Sequence, residues 1–237
     1  MLIGNKFLFL KIPRTGTTSF ENSCFLANIE VKYPTERLLS HKIAATGNAP
    51  KRHSHEPVST IRGVFGNDYP IVAVKRDDLD RFISAWKYSI KELEKTDPQA
   101  ASILSGVSNT LFIKTWVETI GYSSLLNELE ALEEFITRLV GRPVPPVKHN
   151  LNYYFILATT MSGPSRWHEN DPNILYFDFK NLTELEKYVK ETVDPSFEFV
   201  MSNHTRNQGS NLKSTDELKE FYYKWVDPSY KVVSTLI

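Results

Sequence analysis

Short, fully apolar runs alternate with longer segments of helical period along this chain. Residues 6 to 12 read Lys-Phe-Leu-Phe-Leu-Lys-Ile, bounded by Gly4-Asn5 before and Pro13 after. A run this short and this rich in strand formers predicts a buried β-strand. The segment that follows, RTGTTSFENSCFLANI, predicts a helix capped by Thr17, Thr18 or Ser19. Phe20, Cys24 and Phe25 share a face there, and Glu21 falls in the favourable first turn. The same unit recurs at Ile71-Val72-Ala73-Val74, where a strand leads through Lys75-Arg76-Asp77-Asp78 into a helix over about 79 to 93 with Leu79, Phe82, Ile83, Trp86 and Ile90 on one side.

Residues 32 to 68 carry Pro34, Pro50, Pro57 and three histidines, and predict loops and short helices. From 110 to 140 the apolar positions Leu111, Trp116 and Ile120, then Leu125, Leu129, Leu132 and Phe135, predict two helices broken near Gly121 and ended by Gly141-Arg142-Pro143 and Pro145-Pro146. Strands at 153 to 157 and 174 to 177 and helices at 182 to 189 and 216 to 225 complete the reading. A polar loop, SNHTRNQGSNLKST, precedes the last helix. Apolar strands interspersed with helices imply an α/β fold whose central, mainly parallel sheet is flanked by helices on both faces, a three-layer arrangement. With 237 residues, 41% of them hydrophobic, and no internal repeat, one domain spanning residues 1 to 237 is expected.

Charge narrows the function classes. Lys plus Arg and Asp plus Glu both number 28, so there is no bulk basic field of the kind a dedicated nucleic-acid binder carries, and any anion site must be local. Cys24 is the only cysteine, which rules out an intrachain disulfide and fits a reducing compartment. The apolar stretch Phe7 to Leu10 is interrupted by Lys11 and is far shorter than the about 20 residues of a spanning helix, so a cytoplasmic protein without a membrane anchor is expected.

Between the first strand and its helix lies Pro13-Arg14-Thr15-Gly16-Thr17-Thr18-Ser19. Backbone N–H groups at a helix start converge on such a loop and bind anions. Gly16 admits close approach, the hydroxyls of Thr15, Thr17, Thr18 and Ser19 add donors, and Arg14 adds a fixed positive charge. The spacing of a Walker A loop is absent and the single glycine is too few for a dinucleotide fingerprint. A threonine-rich helix cap is the plainer alternative.

The string KIPRTGTTSF resembles the 5′-phosphosulfate loop of the sulfotransferases that use 3′-phosphoadenosine 5′-phosphosulfate (PAPS), and the fold it implies is P-loop-like. The segment IVAVKRDDLDRFISAW resembles the same family's 3′-phosphate motif, with Arg76 at a strand end and Ser84 eight residues beyond it. A guanidinium there can pair with a phosphate through two N–H groups while the serine donates its hydroxyl. Asp78 stands where the family commonly has proline, and Arg14 where it normally has lysine. The resemblance covers residues 7 to 25 and 71 to 90, and is nearer the carbohydrate-type enzymes, including the heparan 2-O group, than the cytosolic enzymes that act on phenols.

The resemblance implies sulfuryl transfer from PAPS to an acceptor hydroxyl or amine, on a carbohydrate or a small molecule, by positioning and charge stabilisation. Arg14 would stabilise charge on the leaving 5′-phosphate but is a poor proton donor, because a guanidinium stays protonated at any ordinary pH. Lys11 would supply a second charge or point to solvent. For the general base, the resemblance of SHEPVSTI to the region that carries the heparan 2-O enzymes' histidine favours His55, with His53, His41 and the carboxylate of Glu56 as alternatives. Arg206, Gly209 and Ser210, in a late polar loop of mobile composition, are secondary cofactor candidates, or simply part of an exposed connector.

The histidines lack the paired spacing of a zinc site, so no metal is implied. A P-loop kinase would share the strand, loop and helix but needs magnesium and a Walker lysine. A non-catalytic nucleotide-binding module would bind without turnover.

Overall fold

A computed structural model describes residues 1–34, 55–120, 129–144, 165–169, 171–201 and 209–226. The strands are β1 (Leu2–Ile3), β2 (Phe7–Leu10), β3 (Val31–Lys32), β4 (Ile71–Lys75) and β5 (Ile174–Asp178). The helices are α1 (Thr17–Leu26), α2 (Val58–Phe65), α3 (Asp78–Glu94), α4 (Pro98–Ser105), α5 (Asn109–Ile120), α6 (Leu129–Val140), α7 (Ser165–His168), α8 (Leu182–Thr192) and α9 (Asp216–Phe221), the last running into a π-helical turn at Tyr222–Val226. The predicted strand at 153 to 157 lies outside the described residues. The chain divides into two compact units, one of residues 1–76 with 164–204 and one of residues 77–163 with 205–237.

The first unit is built on a five-stranded sheet of order β3-β1-β2-β4-β5. β4 runs parallel to both β2 and β5, with Leu10 opposite Ala73 and Lys75 opposite Asp178. β1 pairs antiparallel with both β2 and β3, so the sheet is mixed around a parallel centre. The antiparallel edge was not legible because two-residue strands carry no periodicity to read.

Why β2, and β4 from Ile71 to Val74, are apolar at every position follows from their surroundings. Phe7, Phe9, Val72, Val74 and Phe177 form one face, buried against Phe20 and Cys24 of α1 and Leu185 and Val189 of α8. Leu8, Leu10, Ile71, Ala73 and Ile174 form the other, buried against Val58 and Ile61 of α2 and Trp167 of α7. A strand covered on both sides has no polar face to offer. Phe9 and Phe20 stack with ring centroids 4.0 Å apart, a contact worth about 0.5–1.5 kcal/mol beyond the area it buries.

α1 departs from expectation in three ways. Gly16 is its N-cap rather than a threonine or serine. Glu21 falls beyond the first turn and is buried. Phe20 and Cys24, four apart, face the sheet, whereas Phe25 sits about 100° further round and is 44% exposed. Burial beside Glu21 pushes the Cys24 thiol up to about 12.

The second unit is helical. α3 begins at Asp77, whose side chain accepts from the N–H of Asp80 at 2.9 Å, and it buries Leu79, Phe82, Trp86, Ile90 and Leu93. α4, which the sequence pattern does not announce, starts at Pro98 behind an Asp97 cap. The core gathers around Phe112, whose ring centroid lies 5.1 Å from those of Trp86 and Phe135. Leu111, expected on the core side of α5, is 46% exposed and Phe112 takes its place. Among the described residues no helix is long and apolar enough to cross a membrane.

Candidate functional site

The parallel strands fix where chemistry can gather. In open α/β sheets ligands bind beyond the carboxyl ends of the strands. β2 ends into the loop 11–16, β4 ends at Arg76, and β5 ends into Phe179, whose N–H donates to the carbonyl of Lys75 at 2.8 Å. Three separate stretches of sequence are thereby delivered to one edge of the first unit.

The loop itself is bent into an unusual path. Arg14 has φ +65° and Gly16 φ +80°. The left-handed region costs an L-residue about 1–2 kcal/mol, and a non-glycine there points to a constraint from its neighbours. That constraint is visible: Nη1 of Arg76 donates to the carbonyl oxygen of Arg14 at 2.9 Å. The Arg76 guanidinium carbon in turn lies 4.5 Å from the centroid of the Phe179 ring, within cation–π range. A Cβ on Gly16 would come within 3.3 Å of the same ring. Arg14, Gly16, Arg76 and Phe179 form one interlocked cluster.

Helix α1 starts directly from this loop. With Gly16 as N-cap no side-chain oxygen closes the helix end, and the first intrahelical bond runs from the N–H of Phe20 to the carbonyl of Gly16 at 3.0 Å. The N–H groups of the first turn, which a helix cannot satisfy internally, point back at the loop with the positive end of the helix dipole. Thr15 is buried and its hydroxyl donates to the carbonyl of Ile12 at 2.8 Å, so it holds the loop rather than presenting a donor. Thr17 and Ser19 are buried, and Thr18 is exposed.

Lys11 is at the expected place but in a different electrostatic setting. Its Nζ lies 2.9 Å from Oε2 of Glu21, both side chains are buried, and the Tyr33 hydroxyl donates to the other carboxylate oxygen. The pair is close to neutral as a unit. Sequence reasoning placed Glu21 only as a first-turn helix residue and did not name Tyr33. The one available signal was a carboxylate four residues ahead of Phe25 and three ahead of Cys24, on a helix flank that the sheet covers.

His55 is brought to the same strand end, with Nδ1 2.6 Å from the carbonyl oxygen of Lys11. A carbonyl only accepts, so Nδ1 carries a proton and is the donor. Glu56 follows in the chain and is half-buried. His41, His53 and Arg206 lie outside the described residues.

The remaining candidates belong to the second unit. Ser84 is buried on α3, one turn beyond Arg81, a fully buried guanidinium whose Nε lies 3.5 Å from the Asp78 carboxylate. Gly209 and Ser210 head a segment that is tied down. The N–H of Asn211 donates to the carbonyl of Ser105 at 2.8 Å, and Asn109 bonds both the N–H and the carbonyl of Lys213. Ser210 Oγ accepts from the N–H of Leu212 at 3.2 Å.

An open depression of ≈ 990 Å³ lies at the opposite edge of the sheet, beside Pro70 and Asn173, where β4 and β5 begin. Of its charged groups, Arg62 pairs with Asp171 at 2.9 Å, and Glu169 accepts from the N–H and hydroxyl of Ser59. It lacks the convergent donors of the loop edge. Among the described residues no cluster of three or more His, Cys, Asp or Glu side chains is arranged to hold a metal ion. Comparison of the chain with protein-family models, with curated proteins and with solved structures returns no match.

Proposed function

We propose that this protein is a sulfotransferase that takes the sulfuryl group of PAPS and delivers it to an acceptor hydroxyl or amine, with a P-loop-like strand, loop and helix as its 5′-phosphosulfate site. The observation that carries the reading is the 2.9 Å bond from Arg76 to the Arg14 carbonyl. The two segments that resemble the family's phosphate motifs are 62 residues apart in sequence, and the guanidinium of one grips the backbone of the other. A helix-capping turn would need no such partner.

Each residue then has a physical task. The N–H groups at the start of α1 and the Arg14 guanidinium would hold the 5′-phosphosulfate, and Gly16 lets it approach the backbone. Arg14 offsets the negative charge that grows on the phosphate oxygen as the sulfur–oxygen bond breaks. Arg76, with five N–H donors, can keep its bond to the loop and still pair with a 3′-phosphate. The acceptor oxygen forms the new bond to sulfur and passes its proton to Nε2 of His55, whose orientation the Lys11 carbonyl sets. Lys11 and Glu21 hold the floor of the loop, with no proton transfer assigned to them.

Calorimetric titration with 3′-phosphoadenosine 5′-phosphate in the presence of a chelator tests the reading. Tight binding without metal, lost in Arg76→Ala, is expected. Binding of ATP with magnesium instead, and none of the 3′-phosphorylated nucleotide, would replace the reading with that of a P-loop kinase.

A further inference from the structure

Arg76 does something within the fold that a residue reserved for a 3′-phosphate need not do. It grips the backbone of the other phosphate loop. Its bond goes to the carbonyl of Arg14, the non-glycine residue at φ +65°, and its guanidinium is held over the Phe179 ring. Phe179 also fills the space beside Gly16, the second left-handed residue of the loop. Moving Arg76 therefore removes the acceptor's partner at one left-handed position and unseats the ring that backs the other.

We propose that Arg76 and Phe179 are positioning residues for the loop 13–16, so that the site for the 5′ group is pre-shaped by the residue that meets the 3′ group. Binding at the two ends of the nucleotide is then coupled. An anion that fixes the Arg76 guanidinium also fixes the loop, and a nucleotide carrying only a 5′-phosphate depends on Arg76 although it has nothing there to contact. The proposal rests on the loop being an anion site, and deepens that reading by making Arg76 responsible for selecting doubly phosphorylated nucleotides beyond direct pairing.

The test has two arms. The first is amide hydrogen exchange of the unliganded protein, comparing the wild type with Arg76→Met, which keeps the length of the side chain without its donors, and with Phe179→Leu, which keeps the charge and removes the ring. Residues 14–19 are expected to exchange about tenfold faster or more in Arg76→Met, with β4 and the interior of α1 unchanged, and to a smaller degree in Phe179→Leu. The second arm titrates adenosine 5′-monophosphate and 3′-phosphoadenosine 5′-phosphate into the same proteins, with both affinities expected to fall.

Unchanged exchange over residues 14–19 in both variants overturns the proposal, as does a loss of affinity confined to the 3′-phosphorylated nucleotide. If the wild type binds neither nucleotide, the sulfotransferase reading fails on its own, and the exchange arm still decides whether Arg76 shapes the loop. Phe179→Leu covers the case in which Arg76→Met does not fold.

Discussion

The ammonium of Lys11 and the carboxylate of Glu21 meet at 2.9 Å beneath the loop, in a pocket where both are almost wholly removed from water. Tyr33 donates its hydroxyl to the same carboxylate, and its ring lies 5.8 Å from the ammonium. A buried ion pair of this kind contributes little compared with apolar residues of the same volume, because desolvation offsets the attraction. Breaking it is another matter. Glu21→Gln leaves a buried ammonium without its counter-charge and is expected to cost about 3–5 kcal/mol, read from urea unfolding followed by a probe in the first unit. The double variant Lys11→Met with Glu21→Leu should recover most of that loss. A single variant that unfolds like the wild type would show that the pair is not maintained in solution.

The loop holds backbone strain at Arg14, a non-glycine residue in the left-handed region. Arg14→Gly removes the left-handed penalty at φ +65° and is expected to raise stability by about 1 kcal/mol while weakening binding of a 5′-phosphorylated nucleotide. Gly16→Ala goes the other way. Its Cβ would meet the Phe179 ring at 3.3 Å in a conformation with φ +80°, with an expected loss of about 1–2 kcal/mol and of binding. Unfolding midpoints and titrations on the two variants together check this; a stabilised Gly16→Ala or a destabilised Arg14→Gly contradicts it.

Acid should loosen the first unit. The hydrogen bond from Lys190, then the N–H of Phe199, hold the Glu186 carboxyl below its usual range. The N–H of Asn173, then Arg62, do the same for Asp171. A carboxylate whose folded value is depressed contributes stability at all pH above the ordinary carboxylate range near 4, and that contribution is lost as pH falls through the depressed value. Glu186→Gln and Asp171→Asn should therefore lower stability at pH 7 and flatten its decline below about pH 4. Denaturant midpoints between pH 7 and pH 2.5 show it; parallel acid limbs in variant and wild type would exclude it.

Neighbouring residues on α5 should behave oppositely. Phe112 is fully buried among Trp86, Trp116, Phe135 and Phe221, and Phe112→Ala is expected to cost about 3–5 kcal/mol. Leu111, 46% exposed, should tolerate alanine within about 0.5 kcal/mol. Thermal unfolding of the two single variants distinguishes them, and equal losses would put the core-facing side of α5 elsewhere.

Much of the frame was legible beforehand for a simple reason. Runs such as Phe7 to Leu10 and Ile71 to Val74 are apolar at every position, which a strand buried on both faces requires and a surface strand does not tolerate. The long helix after β4 was equally plain, because Leu79, Phe82, Trp86 and Ile90 repeat at its period over 17 residues. The loop was conspicuous because glycine, threonines and an arginine between a strand and a helix are costly to keep there unless the backbone or a ligand uses them.

By itself, then, the sequence determined the strands β2, β4 and β5 and the longer helices of an α/β fold, and which polar residues follow β2 and β4. Local periodicity and turn chemistry act over a few residues, and those are the scales that a linear pattern records. What only tertiary structure decided is who meets whom. The parallel pairing of β2, β4 and β5 brings Arg14, Arg76 and Phe179 to one edge, although they come from three distant stretches. Packing of α1 on the sheet turns Glu21 from an expected first-turn residue into the buried partner of Lys11. Those contacts depend on strand order and on the rotation of each helix about its axis, and these are set by the burial of whole faces rather than by any local signal.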